Sequence, residues 1–264
     1  MNKKNHEIMK KSISLLLFML CLMAGLTAHA DNLKKIEVNT FNAMRCEGVS
    51  TIHFTQGDTY KVDLKESKDI VTHISVKGKT LMISTENTDK KSRGHKDTES
   101  PELWVTAPQL KSLEIGGAVT FDAKDIQGPS LAIEVEGVSK VSLDRVKGDV
   151  VELNVSGVCS YKGNIEGGSV TVNNAGSGSI KSDIQADNLL LNNSGATTFK
   201  GNFKGKEATV TNSGVGNITL NVDCNKLTAS NDGVGKLRLS GTADDTNIDG
   251  SGVSEIDSSH LNNL

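Results

Sequence analysis

The chain has 264 residues, a formal net charge of −3, 26 glycines, three prolines and only 3% aromatic residues. This length suits one large domain with a substantial core. The acidic balance argues against a nucleic-acid partner, which requires a basic surface. Glycine together with many Val, Thr, Ser and Asn residues, and no long helical pattern after the first thirty positions, favours short strands and tight turns.

Residues 1–30 have the pattern of a signal peptide. Lysines precede an apolar run from Ile13 to Leu26, and Ala28-His29-Ala30 provides the small residues that a signal peptidase requires. We therefore expect export to the periplasm, the cell surface or the medium, with a mature start near Asp31. The mature chain has 25 basic and 31 acidic residues, a net charge of −6. None of its apolar runs approaches the ~20 residues of a membrane-spanning helix, so no transmembrane segment is expected.

Residues 31–109 are predicted to form a section of strands and hairpins. Apolar residues two positions apart, at Ile52 and Phe54, indicate a strand with one apolar face, and residues 60–64 continue the alternation as its return strand. A second hairpin turns at Lys77-Gly78-Lys79, where glycine tolerates a positive φ. Residues 86–100 are almost all polar and are predicted to be a loop.

From residue 110 a single phrase recurs with a period of 20 and then 19 residues. Each copy has a central glycine, a small or branched residue after it, and apolar residues four positions before and after it. The repeated glycines are Gly117, Gly137, Gly157, Gly176, Gly195, Gly214, Gly233 and Gly252. Gly48 begins an isolated earlier copy. A fixed period of this length indicates a repeat architecture.

The local period of two within each copy makes the repeating unit a coil of short strands. A coil cannot bury its own inner face, so coils must stack at the ~4.8 Å strand spacing. We therefore predict an all-β parallel β-solenoid over residues 110–257, with a C-terminal tail at residues 258–264. The N-terminal hairpins are expected to cap one end, since exposed strand edges are a liability. The other end has no strong cap, which suggests self-association there.

The residue two positions before the glycine changes character along the chain. It is apolar at Ile115, Val135 and Val155 and becomes asparagine where the period drops to 19. The asparagines are Asn174, Asn193, Asn212 and Asn231. Stacked amides can hydrogen-bond to one another in an inward ladder. The alternative is a row of surface turn asparagines, which tolerate left-handed φ.

The repeated glycine phrase, following an N-terminal strand section and a signal peptide, resembles the putative auto-transporter adhesin, head GIN domain family. The resemblance covers roughly Ile36 to Ile256 and is carried by motifs such as Gly48-Val49-Ser50 and Gly137-Val138-Ser139. It implies a secreted protein of the Bacteroidetes type, belonging to a domain of unknown function. It also implies a right-handed, single-stranded β-helix, and it brings no catalytic residues.

The sequence supplies no convincing catalytic, cofactor-binding or metal-binding set. Glu134 and Glu152, with Asp144 and Arg145, are the best carboxylate and cation candidates for a polysaccharide-active enzyme, but alternation places the two glutamates on a solvated outer face. The acidic residues near the C-terminus lack calcium-loop spacing. The mature cysteines, Cys46, Cys159 and Cys224, are odd in number and give no disulfide framework.

These observations favour an exported, non-catalytic β-solenoid that acts as an adhesin-like binding module. Its partner would be a surface ligand, either a glycan or a matrix or envelope protein. The first alternative is an enzyme acting on polysaccharide. The second is a structural envelope protein that forms homo-oligomers through the solenoid ends.

Overall fold

A computed structural model describes residues 33–88, 99–251 and 253–263. The predicted signal peptide, residues 89–98 of the predicted polar loop, and Gly252 lie outside the described residues. From Lys34 onward the chain forms one compact unit. Among the described residues there is no helix with the length and apolarity needed to cross a membrane.

The described residues contain fifteen β-strands, which belong to one continuous sheet. The N-terminal strands are β1 (Lys34–Ile36), β2 (Ala43–Gln56), β3 (Lys61–Lys65), β4 (Ile70–Lys77), β5 (Thr80–Asn87) and β6 (Glu102–Ala107). The remaining strands are β7 (Ser112–Gln127), β8 (Ser130–Val135), β9 (Val138–Val155), β10 (Val158–Asn174), β11 (Ser177–Asn193), β12 (Ala196–Asn212), β13 (Asn217–Asn231), β14 (Gly235–Gly250) and β15 (Ser254–Asn263).

The long strands are successive coils of a parallel β-solenoid of about eight turns. Each pairs in parallel with the coil before and after it, and equivalent residues of the repeat face one another, as Val172 does with Leu191. Each long strand covers most of one coil, as β10 does between the corners at Gly157 and Gly176. The predicted all-β solenoid is confirmed.

The stack begins earlier than the predicted boundary at residue 110. Strand β2 already forms a coil, because it pairs in parallel with β7 from Ala43 to Phe54. The insertion of β3 to β6 between these two coils hides the period at the sequence level. In the resulting arrangement Gly48 lies directly opposite Gly117.

The N-terminal strands cover the first coil in a way that differs from the predicted hairpins. Strands β4 and β5 form the expected antiparallel hairpin, and Gly78 at its turn has a φ of 64°. Strand β3 was predicted to return beside β2, but β6 lies between them. Strand β6 pairs in parallel with β2, and β3 pairs antiparallel with β6. A strand joined to β2 by a tight turn could pair with it only in the antiparallel direction, whereas β6 follows a long connection and can pair in parallel.

The drop in period from 20 to 19 residues occurs at a β-bulge. Leu143 of β9 faces Gly163 of β10, but the next pair is Arg145 with Asn164, so Asp144 has no partner and is exposed. Strand β10 therefore has one residue fewer than β9 at this corner of the coil, ten positions before the first ladder asparagine, Asn174. The change of period and the change from valine to asparagine are two separate events within one coil.

The predicted C-terminal tail is also part of the stack. Strand β15 continues through Asn263, and His260 pairs with Ser240 of β14 after a register shift. The extra residue is absorbed by this irregularity, and Leu261 returns to pack against the core. Ending the coils at residue 257 was therefore too early.

The corner glycines stack backbone on backbone. A Cβ atom added to Gly137 would lie 2.0 Å from the carbonyl oxygen of Gly117, and one added to Gly176 would lie 2.0 Å from that of Gly157. At that separation the neighbouring backbone would have to move, because no flexible side chain is available to yield. Amide groups close each corner, as when Val158 donates to the carbonyl of Gly137 at 2.9 Å. Close approach, more than a positive φ, is what requires glycine along this column.

The four ladder asparagines are buried inside the solenoid. Their side chains are between 0% and 4% exposed. The Nδ2 atom of Asn174 donates to Oδ1 of Asn193 at 2.7 Å, and the pattern continues through Asn212 to Asn231. The same Nδ2 atoms approach the corner carbonyls, such as that of Gly176 at 3.3 Å. Among the side-chain amide atoms of these four asparagines, only Oδ1 of Asn174 lacks a partner in the described structure, because the coil before it offers Val155 at that position.

We expect the substitution Asn193→Leu to lower the free energy of unfolding by about 1–3 kcal/mol, the usual cost of leaving buried polar groups unpaired. It removes the acceptor used by Asn174 and the donor used by Asn212. The exposed Asn202, which contacts only Asp183, provides the control Asn202→Leu. Chemical denaturation measures both. Equal losses in the two variants would contradict the ladder's contribution.

Candidate functional site

The outward side chains of the solenoid form straight rows, because every coil repeats the same register. One row crosses the first face of the coils, between the glycine corner and the bulge corner. In coil order it contains His53, Asp122, Ser142, Lys162, Lys181, Lys200, Thr219, Arg238 and Asp257. In this first-face row, charges of one sign lie together. Acidic residues lie towards its two ends, at Asp122 and Asp257, and three consecutive lysines lie in its middle.

The middle of this row is a run of three consecutive lysines, which we call the lysine row: Lys162, Lys181 and Lys200. They lie directly opposite one another on β10, β11 and β12, at the ~4.8 Å strand spacing. All three are exposed. Lys140 lies one coil earlier, diagonally next to Lys162, and is also exposed. In the part of the chain that the structure describes, none of these four ammonium groups has an ion-pair or hydrogen-bond partner.

A groove of about 740 Å³ runs beside the lysine row at the bulge corner. Small residues form its floor, where Ser182 lies between Gly163 and Gly201. Its far wall is polar and contains Asp144, Asn164, Asp183, Asn202, Asn221 and Ser240. The carboxylate of Asp183 already has a hydrogen-bond partner within this wall, since Nδ2 of Asn202 donates to its Oδ1 at 2.6 Å. The hydroxyl of Ser182 is buried without a hydrogen-bond partner in the described structure.

A larger groove, of about 840 Å³, runs along the next corner of the coils. Its lysines are paired with carboxylates, since Lys204 contacts Asp223 at 2.8 Å and Lys147 lies 3.8 Å from Glu166. Asp149 and Asp244 also line it, so its lining is acidic overall. The smaller groove beside the unpaired lysines is therefore the stronger candidate for binding an anionic ligand.

At the N-terminal end of the first-face row, His53 is held between two carboxylates. Its Nε2 lies 2.8 Å from Glu102 and its Nδ1 lies 2.7 Å from Asp122. The imidazole stacks on Trp104, with ring centroids 5.3 Å apart. Partial burial lowers the pKa of His53, but the hydrogen bonds and charges of Asp122 and Glu102 outweigh it and raise this pKa overall.

This cluster was missed at the sequence level. The local sequence around His53 and Trp104 gives no signal of a site. Trp104 faces outward and is half-buried. The two carboxylates lie 49 and 69 positions from His53 in the sequence, so only the pairing of β6 and β7 with β2 brings them together.

The acidic end of the same row is neutralised locally. Asp257 lies 3.4 Å from the guanidinium of Arg238 and 3.8 Å from the ammonium group of Lys236. Hydrogen bonds from the side chain and backbone of Ser259, together with these cations, lower the pKa of Asp257 to about 2. The row therefore has balanced ends and an unbalanced cationic centre.

The structure does not assemble the candidate catalytic residues into one site. Glu134 is exposed, and Glu152 is its diagonal neighbour on the next coil, where it accepts a hydrogen bond from Asn154 at 2.9 Å. Asp144 lies at the bulge, while Arg145 pairs with Asp125. Among the described residues no group of three or more His, Cys, Asp or Glu side chains has a metal-binding arrangement.

The three cysteines of the described residues, Cys46, Cys159 and Cys224, are free and buried. Burial raises the pKa of the Cys46 thiol to about 12 and that of Cys159 to about 11. Burial also raises the pKa of Cys224 to about 11. The nucleophilic thiolate is therefore scarce at neutral pH, and these side chains act as small apolar core residues.

The residues after the corner glycines form an exposed row of small and branched side chains. Val138 is 63% exposed and Val234 is 52% exposed. The glycine phrase thus places its glycine against the neighbouring coil and its following residue in solvent. We assign no ligand to this apolar corner.

Comparison with known proteins places the fold in a defined group. The family model described as "Putative auto-transporter adhesin, head GIN domain" matches residues 40–198 and 185–263. No curated protein matches the chain.

Three similar solved structures share the fold. A putative adhesin from Parabacteroides merdae has a TM-score of 0.65 and 18% identity, covering 85% of this chain and 95% of its own. A putative lipid binding protein from Parabacteroides distasonis has a TM-score of 0.61 and 20% identity, with the same coverage. A putative adhesin from Bacteroides fragilis has a TM-score of 0.59 and 18% identity, covering 86% and 95%.

The His53 cluster predicts a pH-dependent contribution to stability. The pKa of His53 is raised above its ordinary value of 6.5 by the folded structure. The stabilisation is therefore fully present below pH 6.5 and is lost as pH rises through the raised pKa. We expect the stability difference between the wild type and His53→Gln to be largest at acidic pH and to shrink above neutrality. Urea denaturation across this range measures it, with His73→Gln as the control. A difference that grows with pH would contradict the carboxylate clamp.

Proposed function

Because this chain belongs to the putative auto-transporter adhesin, head GIN domain family, we propose that it is an exported, non-catalytic binding module of the cell envelope or cell surface. One observation carries the proposal. The first face presents outward polar and cationic side chains in straight rows on a rigid scaffold, and the central cations have no partner in the described structure. Unpaired, pre-positioned charges on a flat face are suited to recognising an extended ligand at little entropic cost.

Two further observations favour binding over catalysis. Hydrolysis of glycosides requires two carboxylates on opposite sides of the scissile bond, whereas Glu134 and Glu152 are diagonal neighbours that project from one face. A catalytic nucleophile also needs activation, whereas the buried cysteines have raised pKa values. A polysaccharide-active enzyme remains the alternative to test, with Glu134→Gln and Glu152→Gln as its diagnostic variants.

Self-association is a second candidate role that a particular edge favours. The N-terminal coil is covered by β3 to β6, whereas the outer edge of β15 pairs with no other described strand. Open parallel edges are templates for another chain. Sedimentation velocity over a wide concentration range distinguishes the roles, since end-to-end assembly gives species that grow with concentration and a binding module stays at one size.

The decisive experiment is a binding screen with residues 31–264 against neutral glycans, acidic glycans, lipids and matrix proteins. The lipid arm is included because one solved structure of the same fold carries the name of a lipid binding protein. We expect saturable binding to at least one class and no turnover of any glycan. Turnover that Glu134→Gln or Glu152→Gln abolishes would replace this proposal with the enzymatic one, and the absence of any binding would refute it.

Exported location has its own test. Fractionation of cells that produce the full chain is expected to recover it from the periplasm, the outer surface or the medium. The control lacks residues 2–30 and should stay in the cytoplasm, because it lacks the positive start and apolar run of the predicted signal peptide. Cytoplasmic retention of the full chain would contradict export.

A further inference from the structure

We propose that the lysine row and its groove bind a linear acidic polysaccharide, with one anionic group of the polymer set against each coil. The inference rests on the proposed binding function and names the ligand class for the first face. It begins from the three ammonium groups of Lys162, Lys181 and Lys200, which the backbone register holds side by side.

Like charges directly opposite on neighbouring strands destabilise a sheet. Several other outward rows set opposite charges on neighbouring coils, as Lys204 does with Asp223 at 2.8 Å. The lysine row departs from that arrangement over three coils, and Lys140 adds a fourth cation diagonally. Asp144 and Asp183 line the same groove, but in the described structure neither forms an ion pair with these lysines. The unneutralised run is therefore a fitting place for external anions.

The geometry selects a repeating ligand over a compact one. The three attachment points of the lysines lie on a straight line at the ~4.8 Å spacing of parallel strands. Hydrogen bonds between β10, β11 and β12 fix that spacing. A small divalent anion can neutralise two adjacent ammonium groups only. A chain with regularly spaced carboxylates or sulfates can neutralise all of them, and each additional contact strengthens the others through effective concentration.

The surroundings of the row suit hydroxyl-rich chains. Amide and hydroxyl side chains line the far wall of the groove, notably those of Asn164, Asn202 and Asn221. The adjacent outward row of the first face carries Ser160, Ser179 and Thr198. These groups both donate and accept hydrogen bonds, as sugar hydroxyls require. The carboxylate of Asp183 in the opposite wall disfavours anions there and directs them towards the lysines.

Nucleic acid and membrane surfaces fit this face less well. The mature chain has a net charge of −6, and the lysine row contains no aromatic side chain on which bases could stack. Exposed valines such as Val158 lie at the glycine corner, and the row containing Ser160 separates them from the lysines. An interfacial membrane anchor requires apolar residues beside the basic ones.

The test compares binding of three immobilised probes to residues 31–264: polygalacturonate, dextran sulfate and uncharged dextran. We expect saturable, salt-sensitive binding to one or both anionic chains and none to dextran. The variant Lys162→Gln/Lys181→Gln/Lys200→Gln should weaken that binding by about tenfold or more, the scale expected for three exposed charge contacts. Single-stranded DNA and vesicles containing phosphatidylserine serve as competing polyanions.

A matched control separates the row from overall charge. The variant Lys35→Gln/Lys68→Gln/Lys77→Gln removes three lysine charges from exposed positions in the N-terminal section, away from the lysine row, and it should bind like the wild type. Equal weakening in both variants, preferential binding to DNA or vesicles, or no binding to either anionic polysaccharide would overturn this proposal. A neutral glycan or protein ligand that binds all variants equally would leave the proposed binding function intact while refuting this site.

A stability measurement provides a second, independent readout. Lys181 has a lysine on each side, so Lys181→Gln should raise the melting temperature at low salt by relieving repulsion. The increase should disappear at high salt. Adding polygalacturonate or dextran sulfate should raise the melting temperature of the wild type more than that of the triple lysine variant, because a ligand stabilises the state that it binds. A lower melting temperature for Lys181→Gln at low salt would contradict the repulsion on which the proposal depends.

Discussion

The whole solenoid depends on one contact, the stacking of one coil's backbone on the next at the glycine corner. A Cβ atom there would lie about two ångströms from a neighbouring carbonyl oxygen, as at Gly137 and Gly176, so the corner closes only with glycine. The closed corner brings each amide within hydrogen-bonding distance of the coil before it. That contact fixes the register, and the register then decides which side chains meet inside and which align outside.

Much of this fold is predictable from the period alone. The glycine spacing and the apolar positions around it correctly indicate a β-solenoid and its inward residues, such as Tyr161 and Leu191. The predictions that were wrong concern pairing between segments that are distant in the sequence. Strand β6 inserts next to β2 after 45 intervening residues, and the bulge at Asp144 leaves no local signature. The amino-acid pattern shows which residues of a strand point inward and which point outward. It does not show which other strand that strand pairs with.

One part of the candidate site is predictable from the sequence and another part is not. Lys162, Lys181 and Lys200 are separated by the repeat length of 19 residues, so their alignment follows from the period once the solenoid is recognised. The clamp around His53 has no such regularity, because it joins a capping strand to the first coils. Identical residues stacked in a row behave differently inside and outside the solenoid. The inward asparagines hydrogen-bond to one another, whereas the outward lysines repel one another, and only anions from outside the chain would neutralise them.

The in-register repeat has a consequence for how such a protein changes during evolution. Duplication or loss of a 19-residue segment would preserve the corner glycine, the core positions and the outward row together, since each coil carries one copy of each. The number of outward side chains in a row can therefore change by one for each coil gained or lost, while the core positions stay the same. Single-residue insertions are tolerated only at corners such as Asp144, where the extra residue lies in solvent. Length variation among relatives should consequently be quantised in coils.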